Sequence, residues 1–164
     1  MVARVIPVSP FDLVIFGATG DLARRKILPG LFHRFRVGQM PEDAAIIGAA
    51  RSQMDSGEFR DLVARALEEF VAEPDRTPET IAAFLDLLTY VHVDAKGDAG
   101  WDELGGALRA GTTRAFYLSV SPSLFGSISK QLSTRGIATA ESRIVVEKPF
   151  GHDLVSARKL NDHI

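Results

Sequence analysis

The sequence predicts an α/β fold, a doubly wound parallel sheet with helices on both faces. Two observations carry that expectation. Short apolar runs rich in strand formers alternate along the chain with longer stretches whose apolar residues recur at helical spacing, an order that joins parallel strands by right-handed crossovers. The first apolar run, Leu13–Phe16, breaks directly into Gly17, after which Gly17, Gly20 and Ala23 stand three apart where a helical pattern opens. Small residues thus fall where strand, turn and helix crowd together, and the free N–H groups and positive dipole end of that helix favour an anion. A dinucleotide pyrophosphate is the natural guest, with Thr19 adding a hydroxyl donor. Gly-x-x-Gly-x-x-Ala is looser than the tight dinucleotide fingerprint, so an unliganded turn remains the alternative on pattern alone.

After the turn, Leu28, Leu31, Phe32 and Phe35 give the first helix a core stripe. Pro29 lies inside it, where it removes a hydrogen bond and predicts a kink or break that Gly30 eases. Gly38 and Pro41 end the element. A second strand is expected at Ala44–Ala49, then an amphipathic packing helix carrying Phe59, Leu62, Val63, Ala66, Leu67 and Phe70. Glu73–Pro78 reads as a loop, and Thr77-Pro78 starts a helix with Ile81, Phe84, Leu85 and Leu88. Tyr90–Val93 is the third strand, and its His92 reads as a half-buried strand residue because no second ligand stands at metal spacing beside it. Asp94–Gly100 turns, and Trp101–Ala110 is a short helix weakened by Gly105 and Gly106. Ala115–Val120 is a fourth strand and Ser121-Pro122-Ser123 a helix entry, with Leu124, Phe125, Ile128 and Leu132 along the apolar side of that helix. Arg143–Glu147 is a fifth strand that Lys148-Pro149-Phe150-Gly151 stops, and Asp153 can cap a last helix from Leu154 onward.

With 164 residues, 46% of them hydrophobic, the chain suits one domain with a real core, residues 1–164. A net charge of −2 and a pI near 6.1 give no global pull toward nucleic acid. There is no cysteine, hence no disulfide framework and no thiolate chemistry, which suits a reducing cytoplasm. Neither a signal peptide nor a membrane span is legible, so a soluble, cytoplasmic protein is expected.

In such a sheet a ligand lies beyond the carboxyl ends of the strands. After the second strand, where a carboxylate for an adenosine ribose is usual, this chain has Arg51 and Ser52. A guanidinium there favours a ribose 2′-phosphate, with Asp55 as the rival carboxylate for an NAD reading. Ser119–Phe125, after the fourth strand, stands where a nicotinamide end would pass. Glu147-Lys148-Pro149 ends the fifth strand, and the Lys148 ammonium suits a sugar hydroxyl or phosphate.

The segments FGATGDLARRKILPGLF, IIGAARS, AFYLSVSP and RIVVEKPFGHDL, in this order and at these intervals, resemble the N-terminal half of the glucose-6-phosphate dehydrogenase family. The resemblance runs from about Leu13 to Ile164. It implies a Rossmann-type domain that binds NADP, in an enzyme oxidising glucose 6-phosphate to 6-phosphogluconolactone at the entry of the oxidative pentose phosphate route. It also implies a full-length homo-oligomer. By position, the coenzyme loop falls on Gly17, Ala18, Thr19, Gly20, Asp21, Leu22, Ala23 and Arg24, the 2′-phosphate arginine on Arg51, and the adenosine side near Asp94. Lys148 falls on the lysine that meets both coenzyme and sugar. Phe125 stands where some relatives carry tyrosine. The family's Arg-Ile-Asp-His-Tyr-Leu-Gly-Lys substrate motif and its catalytic histidine have no counterpart in these residues, and Asp162-His163 matches it only by accident. No residue here is therefore expected to be the catalytic base, and little turnover is expected. The alternatives are another Glu-Lys-Pro sugar oxidoreductase or a non-catalytic NADP-binding module.

Overall fold

The computed structural model describes residues 11–40, 44–139 and 142–146. Its five strands are β1 (Phe11–Phe16), β2 (Ala45–Ala50), β3 (Leu88–His92), β4 (Thr113–Leu118) and β5 (Arg143–Val146). All neighbouring pairs are parallel, in the order β3-β2-β1-β4-β5. The chain thus winds outward from β1 in one direction, returns, and winds outward in the other. That reversal lies between β1 and β4 and opens a crevice above their carboxyl ends.

Helices cover both faces because β1 is apolar on both. Val14 and Phe16 join one core with Trp101, Leu104, Phe116, Ile128 and Leu132, beneath α4 (Trp101–Ala107) and α5 (Phe125–Thr134). Leu13 and Ile15 join the other with Leu28, Phe32, Phe59, Leu67 and Phe84, beneath α1 (Leu28–Arg36), α2 (Ser56–Phe70) and α3 (Pro78–Leu85). Burying a side chain of this size contributes about 1.5–3 kcal/mol, so the two stripes of one central strand anchor both layers. Gly48 lets α2 come close. A Cβ there would stand 2.5 Å from the Phe59 ring, which lies over β2 and against Tyr90 with ring centroids 5.3 Å apart.

The helix starts follow local chemistry. Asp55 Oδ1 accepts from the Glu58 N–H at 2.8 Å while Glu58 Oε1 accepts from the Asp55 N–H at 3.0 Å, a reciprocal cap on α2. Thr77 caps α3 by accepting from the Thr80 N–H, with Pro78 in the first turn as expected. Ahead of α1 the break expected at Pro29 takes the form of a widened π-turn, Ala23–Ile27, in which the Leu28 N–H reaches back to Ala23 O. Pro29 follows directly on that turn within a continuous run of helical backbone, and the altered bonding of the widened turn accommodates its missing N–H. Gly30, expected to ease the bend, is exposed in α1 and its backbone φ is not positive.

Other expectations need correction. Leu88 belongs to β3 and not to the preceding helix, because Asp86 and Leu87 close α3 with N–H bonds to Ala82 O and Phe84 O and the chain turns back into the sheet. Consequently β3 begins two residues before Tyr90. The helix from Trp101 stops at Ala107, where the Leu108 N–H turns to Gly105 O, and β4 ends at Leu118 instead of Val120. Glu147, Lys148, Pro149, Asp153 and the helix expected from Leu154 lie outside the described residues, as do Pro41, Asp162 and His163.

Where the strands begin, Asp12 is fully buried and saturated. Its carboxylate accepts from the Arg109 backbone N–H (2.7 Å), Arg109 Nε (2.8 Å) and the Thr112 hydroxyl (3.1 Å), and it pairs with Arg109 Nη2 at 2.7 Å. Among the described residues no helix is long and apolar enough to cross a membrane, and no cluster of His, Asp or Glu suits a metal ion.

Candidate functional site

The crevice at the switch point is a cavity of about 610 Å³, within the range of small-molecule sites. Ladder bonds that continue one step past the strand ends build its walls. The Gly17 N–H donates to Ala49 O (2.8 Å), the Ser119 N–H to Phe16 O (2.9 Å) and the Val93 N–H to Ala50 O (2.9 Å). Three loops, after β1, β3 and β4, are thereby fixed to the strands beside them.

Gly17 is required by geometry. Its φ is +79°, and a Cβ would lie 2.1 Å from Ser119 O, so only glycine lets the first turn pass under the loop after β4. At Gly20 a Cβ would stand 3.2 Å from Gly17 O, and its N–H donates to that same oxygen at 3.0 Å. The first intrahelical bond runs from the Arg24 N–H to Gly20 O at 3.1 Å, which leaves the earlier helical amides without an acceptor behind them. A tight glycine cradle beneath free helix amides fits a diphosphate, because bulk is excluded where backbone must approach the ligand.

The sequence-derived candidates divide by position. Gly17, Thr19, Gly20, Arg51 and Asp94 line the cavity together. Ala18 and Ala23 are wholly buried in the α1–α3 core, and Asp21, Leu22 and Arg24 lie outside the lining. Asp21 pairs with Arg25 Nε at 3.0 Å and Arg24 Nη2 at 3.6 Å, all three side chains exposed and the pairs correspondingly weak. Arg51 is exposed at the rim with no partner among the described residues. The carboxylate of Asp55 is engaged at the start of α2. Asp94 Oδ1 accepts from the Lys96 N–H at 3.0 Å and shapes the loop after β3. Phe125 faces the α4–α5 core, whereas Ser119, Val120, Ser121, Ser123 and Leu124 of the same segment line the cavity. His92 is half-buried, its Nε2 3.4 Å from Gln53 Nε2. Lys148 lies outside the described residues.

Two participants, Lys96 and Tyr90, were not singled out from sequence. Lys96 brings a second cation to the cavity wall, near whose mouth the Ser52 and Thr19 hydroxyls meet at 3.4 Å. Tyr90, below the rim, holds the segment that carries Arg51: its hydroxyl lies 2.7 Å from Ser52 O and 3.1 Å from Ala50 O. Burial raises its pKa above the ordinary 10.0, against a smaller lowering by the Ser52 side chain, so at neutral pH the hydroxyl is a donor. Lys96 had one legible signal, a cation shortly past a strand end. Tyr90 had none, since its acceptors lie 38 and 40 residues away.

A parallel sheet in this order, with a glycine turn over its first strand and a crevice at the reversal, defines a dinucleotide-binding α/β domain. Comparison with known proteins narrows the class. Residues 14–164 match the family model described as "Glucose-6-phosphate dehydrogenase, NAD binding domain", and the chain belongs to that family. It is 46% identical to the glucose-6-phosphate 1-dehydrogenase of Rhizobium meliloti (strain 1021) over 166 residues, which covers 100% of this chain and 34% of that protein. With the enzyme of Gluconobacter oxydans (strain 621H) identity is 41%, covering 96% of this chain and 33% of that protein. The crystal structure of glucose-6-phosphate 1-dehydrogenase from Mycobacterium avium superposes with a TM-score of 0.79 at 30% identity, covering 95% of this chain and 33% of that one. A glucose-6-phosphate dehydrogenase in complex with its substrate glucose-6-phosphate superposes with a TM-score of 0.75 at 29% identity, covering 98% of this chain and 35% of that one. The chain spans about a third of the length of the curated relatives it matches.

Proposed function

We propose that residues 1–164 are the coenzyme-binding part of a glucose-6-phosphate 1-dehydrogenase and that the cavity takes NADP. In this reading the backbone of Gly17–Gly20 and the first helical amides hold the pyrophosphate, with the Thr19 hydroxyl beside it. Ala18, Asp21, Leu22, Ala23 and Arg24 serve the same loop through backbone position and helix start. Arg51 meets the 2′-phosphate, and the Asp94 loop flanks the adenosine. The observation that carries the reading is the Arg51 guanidinium, without a partner among the described residues, on the rim of the cavity that the glycine turn floors. A guanidinium pairs bidentately with a phosphate, whereas it offers a bare ribose little.

Bound there, NADP supplies the hydride acceptor for oxidation of the anomeric carbon of glucose 6-phosphate. Lys148, which comes after β5 in the sequence, is assigned to both coenzyme and sugar on its place in the Glu-Lys-Pro-Phe-Gly motif. The full enzyme acts as a soluble cytoplasmic homo-oligomer in this reading. Titration with NADP and NAD side by side tests it. The wild-type chain binds NADP more tightly, and Arg51→Ala weakens NADP about ten- to a hundredfold, the worth of charge-assisted hydrogen bonds at about 1.5–3 kcal/mol, while NAD changes far less. Equal losses for both coenzymes would remove Arg51 from the 2′-phosphate.

A further inference from the structure

The segment from Ala50 to Ser56 leaves β2, presents Arg51 to the cavity and enters α2. Such a connection is short on fixed partners, yet one residue of the neighbouring strand grips it at both ends. Tyr90 lies in β3 opposite Gly48, its ring buried against Phe59. Its backbone N–H donates to Ser56 Oγ at 3.0 Å, and its hydroxyl reaches the carbonyls of Ala50 and Ser52, the residues on either side of Arg51. Those two carbonyls are not equivalent. Ala50 O also accepts the Val93 N–H at 2.9 Å, a ladder bond that survives without the phenol, whereas Ser52 O has the Tyr90 hydroxyl as its donor among the described residues. A single O–H proton serves best at its shorter contact, so the hydroxyl acts chiefly on the Ser52–Gln53 peptide, one residue beyond Arg51.

We propose that Tyr90 is a positioning residue for coenzyme selectivity, its hydroxyl fixing the backbone on the far side of Arg51 so that the guanidinium is aimed into the cavity. A bidentate pair tolerates little misalignment, so an Arg51 whose following segment was released at Ser52 O would keep its charge and lose its geometry. The Thr19–Ser52 hydroxyl contact at 3.4 Å is too long and too exposed to replace this anchor. The inference rests on the reading that Arg51 meets a 2′-phosphate, and the test separates the two.

Tyr90→Phe keeps the ring on Phe59 and removes only the hydroxyl. Dissociation constants for NADP and NAD are measured by titration of the full chain in wild type, Tyr90→Phe, Arg51→Ala and the double variant, with melting temperatures alongside. The expected result is a fall of about three- to tenfold in the NADP-to-NAD affinity ratio for Tyr90→Phe, and no further fall when the change is made on top of Arg51→Ala, the non-additivity of groups acting through one contact. A lowered melting temperature with the ratio unchanged makes Tyr90 merely structural and overturns the proposal. The same loss of ratio in the Arg51→Ala background overturns it as well, since the hydroxyl would then act elsewhere. If wild type shows no preference for NADP, the assignment of Arg51 fails first and the role of Tyr90 falls with it.

Discussion

The two ends of the sheet treat charge in opposite ways. Where the strands begin, Asp12 is fully buried and receives four contacts from Arg109 and Thr112, a carboxylate with no capacity left to offer. Where the strands end, Arg51 is exposed at a cavity rim with no partner among the described residues, and the Thr19 and Ser52 hydroxyls meet only at 3.4 Å. The chemistry available is similar at both ends, since each has an arginine and hydroxyl groups. The difference is whether folding has already satisfied it. A saturated pair, its carboxylate buried and its guanidinium partly exposed, holds the start of β1 to the chain entering β4, whereas the cation at the crevice is left without a partner among the described residues.

Substitutions can break or sharpen that contrast. The largest effect is expected at Gly17, which serves both fold and site. Gly17→Ala places a Cβ against Ser119 O at a φ of +79°, and strain plus overpacking cost about 4 kcal/mol. Denaturant unfolding and coenzyme titration should both register the loss, and a chain with wild-type affinity and stability would show the close approach to be dispensable. Next comes Arg109→Ala, which leaves the Asp12 charge buried with the Arg109 amide and the Thr112 hydroxyl as its remaining donors. About 3 kcal/mol is expected, the low end for a broken buried pair, because the Arg109 side chain is 39% exposed. The midpoint of unfolding should move while the NADP-to-NAD ratio stays put; a changed ratio would mean the two ends are coupled. Smallest is Asp55→Ala, which removes the α2 cap for about 1 kcal/mol. NAD affinity should be indifferent to it. A selective loss of NAD binding would restore Asp55 as a ribose carboxylate.

Features set by local sequence were readable in advance, and features set by long-range contact were not. The strands announced themselves because β1, β2 and β4 are apolar runs of the length a buried parallel strand needs, and Gly17 marked the turn because no other residue tolerates its backbone. Arg51 stood out as the residue just past an expected strand. Leu88 was misplaced because it stands four residues after Phe84, a spacing that suits a helix as well as a new strand. The Asp12–Arg109 pair spans 97 residues and the Tyr90 hydroxyl reaches back 38, so neither could be inferred from a pattern of neighbours. The carboxylate of Asp55 looked like a ribose ligand from its place after β2, although Asp55 and Glu58 stand at capping-box spacing ahead of the helix, and the Glu58 amide in front of the carboxylate shows that it is a cap. Half of the site was therefore legible as position, while its supporting contacts required three dimensions.

The widened turn before α1 has a consequence of phase. An ordinary helix advances by about 100° per residue, so a surplus residue absorbed in one turn sets back everything downstream by roughly that angle. Ala23 and Ile27 within it, and Leu28 and Phe32 beyond it, can then all meet the same core. Tolerance to a change in chain length is concentrated there. A residue deleted between Ala23 and Ile27 would leave an ordinary turn with its flanks still aligned, whereas one deleted within Leu28–Arg36 would rotate the remainder and carry Phe32 or Phe35 away from Phe84.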